Sequence, residues 1–365
     1  MLAHEMKLQW MVLAVFMVLS KWQHCAAGDQ LVPCYFIFGD SLADNGNNNK
    51  LQTLAKVDYA PYGVDFRNGP TGRFCNGLTI VDIIAEILGF HNYIPPFATA
   101  READMLYGLN YASGSAGIRD ETGQELGECI SLNMQLQNHH KTVQNLIGML
   151  GNESALTYLN KCLYSVGMGN NDYLNNYFLP QFFPTSQEYT LEKYTQLLIE
   201  QYSQQLRVLS TAFFSPTPLM EIASLLFSLS LHQLSAVSSV SVRVRSKETS
   251  RVRTRENRVC PSKLLPAIDL LNDDLPDAKI IYINSYRIGE DSTVLDLKVN
   301  NTACCPSSAI AQCIPDQIPC QNRTQYMFWD SFHPTEIFNI FYAERSYSAL
   351  DPSYAYELIH MIFAI

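Results

Sequence analysis

Apolar residues in this chain come in short, dense runs set between polar stretches rich in glycine and asparagine. Pro33–Gly39 (PCYFIFG) is an apolar, aromatic run ending in glycine, the pattern of a buried strand. Leu109–Ala112, Lys161–Val166 and Ile280–Ser285 repeat that pattern. Between them, apolar positions at helical spacing predict helices over Leu78–Leu88, closed by Gly89, over Ile130–Leu150 and over Leu191–Leu209. Asp40–Lys50, directly after the first strand, reads as a polar, Asn-rich loop. Strands alternating with helices predict an α/β fold with a parallel sheet. In such sheets ligand sites collect in the loops that follow the strand C-termini.

Segment 212–262 departs from this alternation. Residues 221–242 are rich in Ser, Leu and Val without a clear amphipathic period, and Arg243–Arg258 then gathers seven Lys and Arg. The run reads as a solvated loop or as sequence foreign to the fold; as a functional patch it would attract anionic polysaccharide or lipid head groups.

The first residues carry an export pattern. Lys7 closes a short basic region, Leu8–Ser20 is mostly apolar, and Cys25-Ala26-Ala27-Gly28 offers small residues for cleavage. That run is shorter than the roughly 20 apolar residues a membrane span needs. We therefore expect residues 1–27 to be a signal peptide and residues 28–365 to form one secreted, extracellular domain. No integral membrane segment is expected elsewhere; Ala223–Val240 comes nearest, and its serines and histidine argue against it.

Composition narrows the classes. The 365 residues are 47% hydrophobic, enough for a sizeable core, and the net charge of −10 disfavours nucleic-acid partners. Of ten cysteines, Cys25 falls in the signal. Cys34, Cys75, Cys129, Cys162, Cys260, Cys304, Cys305, Cys313 and Cys320 remain, an odd number in an oxidising compartment. The cluster at 304–320 lacks a C-x-x-C pair, so disulfides are favoured over zinc. Sequons at Asn152, Asn300 and Asn322 fit a glycosylated surface.

Four short motifs fall where chemistry is expected. Gly39-Asp40-Ser41-Leu42 places a serine where the first strand passes into its loop; it also fits a relaxed nucleophile elbow, though such elbows lie deeper in the chain. Asn110–Gly117 and Gly169-Asn170-Asn171-Asp172 combine glycines, which allow close backbone approach, with amide donors for an oxyanion. Phe328–Pro334 sets Asp330 three residues before His333, a spacing that lets the carboxylate orient the imidazole. Each motif alone is an ordinary turn. The other histidines, such as His139 and His140 on a helix, lack a chemical partner and read as surface residues.

Together, in the order Ser, Gly, Asn, His, these motifs resemble the SGNH hydrolases, and more closely the plant GDSL-type esterase/lipase family. The supporting stretches are FIFGDSLADNGNNN, Tyr62-Gly63, Gly69–Gly77, NYASGSAGI, MGNNDYLNNYF and CQNRTQYMFWDSFHPTE, and the likeness covers roughly residues 31–211 and 263–355. The resemblance implies a three-layer α/β/α, flavodoxin-like domain hydrolysing small-molecule or lipid carboxylic esters, with no metal or organic cofactor. By position it makes Ser41 the nucleophile, His333 the general base and then acid, and Asp330 the residue that orients it. The oxyanion hole would comprise the Ser41 N–H, Gly117 in preference to Gly114, and the Asn171 side chain.

Similar proteins carry a further strand and a Gly-Cys-x-Pro turn after the helix ending near residue 210, and this sequence shows neither. Either Ala223–Leu231 supplies the strand, or segment 212–262 disrupts the sheet. The second case leaves a catalytically silent secreted glycoprotein that binds acylated or polysaccharide ligands. Acyl transfer to another alcohol is a further outcome open to an acyl-enzyme. Oligomeric state is not readable.

Overall fold

The structure, a computed structural model, describes residues 30–211, 223–228, 264–275 and 278–348. The signal segment 1–27, Cys260 and the basic run Arg243–Arg258 lie outside them.

Four strands, β1 (Tyr35–Gly39), β2 (Leu163–Gly167), β3 (Ala223–Ser228) and β4 (Ala278–Tyr282), form one parallel sheet in chain order. Tyr35 pairs with Leu163 and Gly39 with Gly167 in one register, and Leu225 lies between Tyr164 and Ile280 in the next two. The strand missing from the sequence pattern is thus supplied from within the atypical segment. It starts at Ala223, as the first alternative expected, and fills the gap between β2 and β4. Beyond β1, Leu109–Ala112 forms an isolated parallel bridge where a strand was expected. Its neighbours continue the ladder, with Ile37 N–H donating to Leu109 O, Tyr111 N–H to Ile37 O, and Ser113 N–H to Gly39 O.

Alternation along the strands feeds two apolar clusters. Phe36, Phe38, Tyr164, Val166, Ile280 and Tyr282 join one cluster, with the buried faces of α2 (Leu132–Leu150), α4 (Leu191–Thr211) and α5 (264–274). Tyr35, Ile37, Leu163 and Ile281 join the other, with α1 (Ile80–Ile87) and α7 (Glu336–Ser348). The near-continuous apolar runs in the sequence are what a strand covered on both faces requires. Two further helices are α3 (Asn152–Leu159) and α6 (Ser285–Glu290).

α1 and α2 begin where side chains satisfy free N–H groups. Thr79 and Asp82 form a capping box on α1, and Asp82 also takes both Nε and one terminal nitrogen of the buried Arg73 at 2.7 Å. Ser131 caps α2, whose inward face carries Leu132, Gln135, His139, Thr142, Val143 and Leu146. His139 therefore corrects the surface reading. It is 1% exposed, packed among Phe36, Phe38, Tyr111 and Tyr164, with Nδ1 3.1 Å from the Tyr111 hydroxyl. Burial lowers its pKa from 6.5 to about 3, so the ring is neutral.

Cysteines 304, 305, 313 and 320 pair as Cys304–Cys320 and Cys305–Cys313, and Cys34–Cys162 joins the residues that lead into β1 and β2. Cys75 and Cys129 are thiols. A small pair, β5 (Val299–Ala303) and β6 (Tyr326–Phe328), brings the last motif up to the sheet.

Candidate active site

Ser41 stands at the turn after β1, two residues beyond Gly39. That glycine is clamped by the side chain of Gln135: its N–H donates to Oε1 at 3.0 Å and its carbonyl accepts from Nε2 at 2.8 Å. The turn is closed by N–H groups of Ala43 and Asp44 donating to Asp40 O, and of Leu42 donating to the Asp40 carboxylate. The Ser41 N–H makes no hydrogen bond to another described residue.

The Asn-rich stretch that follows is buried rather than solvated. The Asp44 carboxylate accepts N–H bonds from Gly46, Asn47 and Gly114 at 2.8–2.9 Å. Asn47 donates to the carbonyls of Asn110 and Ala112, and Asn48 to those of Ala55 and Gly114. Ser113 donates to Asn48 in turn. The first and second motifs are thereby bolted together through amides. Burial lifts the carboxyls of Asp40 and Asp44 from 3.8 to about 6, against the backbone N–H bonds that hold them down.

The third motif is tied to the second in the same way. The Asp172 carboxylate accepts from Ile118 N–H, Arg119 N–H and Thr122 Oγ1 at 2.8–3.0 Å, and burial lifts it too to about 6. Asn171 Nδ2 donates to Ala116 O at 2.9 Å, leaving its second amide hydrogen available. The two glycines weighed for the oxyanion differ in their commitments. Gly114 already donates its N–H to Asp44, whereas Gly117 has no bond from its N–H to another described residue. Gly117 also admits no side chain: a Cβ there would lie 2.5 Å from Thr122 Cγ2 and 2.6 Å from Asp172 Oδ1.

The fourth motif arrives on the loop after β6. His333 Nε2 is 2.7 Å from Ser41 Oγ, across 292 positions of sequence, and Nδ1 is 2.7 Å from Asp330 Oδ2. Asp330 is fully buried and His333 is 6% exposed. Asp330 Oδ1 also accepts the N–H groups of Phe332 and His333 at 2.8 and 2.7 Å. The Phe74 ring lies 4.9 Å from the imidazole. This is the geometry of a Ser–His–Asp triad: a hydroxyl facing one imidazole nitrogen while a carboxylate holds the other.

Gln135, Asp44 and Asn48 were not singled out individually from sequence, and Tyr62 entered only as part of the Tyr62-Gly63 stretch. Only their places in or near the motif stretches hinted at them. The three sequon asparagines, Asn152, Asn300 and Asn322, are all exposed. No group of three or more His, Cys, Asp or Glu among the described residues could hold a metal ion, and none of their helices is long and apolar enough to cross a membrane.

Such a triad at the strand ends of a parallel sheet is shared by hydrolases of several lineages. Sequence comparison defines which one: residues 35–345 match the family model for GDSL-like Lipase/Acylhydrolase. A GDSL esterase/lipase of Arabidopsis thaliana is 44% identical over 95% of this chain and 97% of its own length. Two others from the same plant are each 43% identical, one over 92% of this chain and 93% of its own length, the other over 96% of both. The chain belongs to the GDSL lipase/acylhydrolase family.

Proposed function

We propose that this protein is a secreted serine esterase/lipase that cleaves carboxylic esters of acyl lipids or acylated wall components. The observation that carries the reading is the 2.7 Å contact of Ser41 Oγ with His333 Nε2, backed by the equally short contact of Nδ1 with Asp330. His333 takes the Ser41 proton as the hydroxyl oxygen attacks the ester carbonyl, and Asp330 stabilises the imidazolium that forms. The carbonyl oxygen, now negative, receives hydrogen bonds from the Ser41 N–H, the Gly117 N–H and the Asn171 amide. Each such donor is worth about 3 kcal/mol in the transition state. His333 then hands the proton to the departing alcohol, leaving an acyl-enzyme. Water, deprotonated by His333, attacks that ester and releases the acid and free Ser41.

The fold that goes with this reading is one three-layer α/β/α, flavodoxin-like domain spanning residues 28–365, exported on residues 1–27. The paired cysteines and the exposed sequons at Asn152, Asn300 and Asn322 support export, since disulfides persist and N-glycans are added on that route. The test is hydrolysis of short- and medium-chain p-nitrophenyl esters by the secreted protein and by Ser41→Ala. We expect the variant to fall by about 10³-fold or more while its melting curve is unchanged. Equal background rates from both folded proteins would overturn the reading.

A further inference from the structure

The carboxylate that holds His333 is itself held from behind. Tyr62, 1% exposed, donates its hydroxyl proton to Asp330 Oδ2 at 2.6 Å and accepts the Cys313 N–H at 3.0 Å. Cys313 closes a short loop through its disulfide to Cys305, at a sequence separation of 8. The carbonyl of Cys313 accepts from the Tyr59 hydroxyl at 2.9 Å, so both polar groups of that residue's backbone end on a tyrosine. Tyr62 is wedged edge-on between Tyr59 and Trp329, at 5.4 and 6.4 Å between ring centres.

A phenol has one proton and a free torsion. The Cys313 N–H occupies its acceptor side, which points the proton at Asp330. We propose that Tyr62 is a positioning residue for ester hydrolysis, and that the disulfide-closed loop 305–313 aims its hydroxyl at Asp330. The inference rests on the serine-hydrolase reading above. With Phe332 N–H and His333 N–H on Oδ1 and Tyr62 on Oδ2, the plane of the carboxylate is fixed. His333 must then present Nδ1–H to it and keep Nε2 for Ser41. Burial raises the Tyr62 phenol well above its ordinary value, which keeps it a neutral donor. The other titratable groups around this cluster are Tyr59, which faces Asp330, Asp58 beside Tyr59, and Asp40, whose carboxyl feels the charge of His333.

Removing the Tyr62 hydroxyl leaves more negative charge facing the imidazole, so its cation persists to higher pH. Tyr62→Phe should therefore lower kcat about tenfold with KM changed less than about twofold, and move the acid limb of kcat/KM up by about half a pH unit. In an Asp330→Asn background the same change should cost less than about twofold, because the group it acts through is gone. Cys305→Ser/Cys313→Ser, which keeps the hydroxyl but frees the loop, should move the acid limb in the same direction. An unmoved limb in Tyr62→Phe, or an equal loss in both backgrounds, overturns the proposal. If Tyr62→Phe does not fold, an unmoved limb in the cysteine pair overturns it instead. Absence of Ser41-dependent hydrolysis in the wild type is a separate failure, that of the hydrolase reading itself.

Discussion

Ser41 and His333 reach one point from opposite ends of the chain, on loops fixed by different means. Around the serine, buried amides and carboxylates take up backbone groups: Asp44, Asn47, Asn48, Gln135 and Asp172 together tie β1, the 110–118 turn and the 169–172 turn. Around the histidine, two disulfides close residues 304–320, and backbone bonds from Cys304 to Phe328 and from Cys305 to Trp329 carry that rigidity to Asp330. The serine side depends on polar groups that would each be costly to leave unpaired in a dry interior. The histidine side depends on covalent closure, which acts largely by limiting the unfolded chain. The two halves should therefore fail under different insults.

The sharpest way to break that contrast is Asp44→Ala. It strands the N–H groups of Gly46, Asn47 and Gly114 at once, and at about 1–3 kcal/mol per buried donor the loss should reach 3 kcal/mol or more. Urea unfolding measures it, and a change under 1 kcal/mol would mean that the serine side is not polar-bolted. Cys304→Ser/Cys320→Ser comes next. Closing a loop of 16 residues is worth about 3 kcal/mol in the chain-entropy account, so a cost of about 2–3 kcal/mol is expected in the same assay.

The smallest expected effect is on pH dependence. Asp40, Asp44 and Asp172 titrate near 6 when folded and near 4 when unfolded. Raised carboxyls bind protons on folding, so their contribution is fullest below the unfolded value and is lost as pH rises through about 6. Glu125, raised to about 7, adds to them. His139 opposes them: its depressed value means stability is lost as pH falls below 6.5. Each carboxyl should gain about 1 kcal/mol between pH 7 and pH 5 against about 2 kcal/mol lost at His139, so a small net rise in melting temperature is expected on acidification. His139→Phe should make that rise steeper. A melting temperature that falls from pH 7 to pH 5 in both proteins would remove the buried carboxyls from the account.

The sequence exposed the parts of this molecule that have a period or a spacing. Aromatic and β-branched runs marked β1, β2 and β4, the 3.6-residue period marked α1, α2 and α4, and the three-residue step marked the Asp330–His333 contact. What it hid was burial of polar groups. Asn48 or Gln135 reads the same whether it faces water or a carbonyl 2.8–3.0 Å away, because the partner sits 66 or 96 positions off. His139 misled for that reason, being one polar residue among others on α2 until four aromatic rings closed over it. β3 was one of two alternatives offered for segment 212–262, and the edges of β2 and β4 that need pairing decide for it. Cysteine pairing was undecidable from number and spacing alone.

The Cys34–Cys162 bond ties positions 128 apart, at the starts of adjacent strands. Everything between them, including the exposed Arg101, belongs to one covalent ring. A protease that cuts after Arg101 opens that ring without releasing a fragment. The nicked chain would run as a single species in non-reducing electrophoresis and separate into two only when thiol is added.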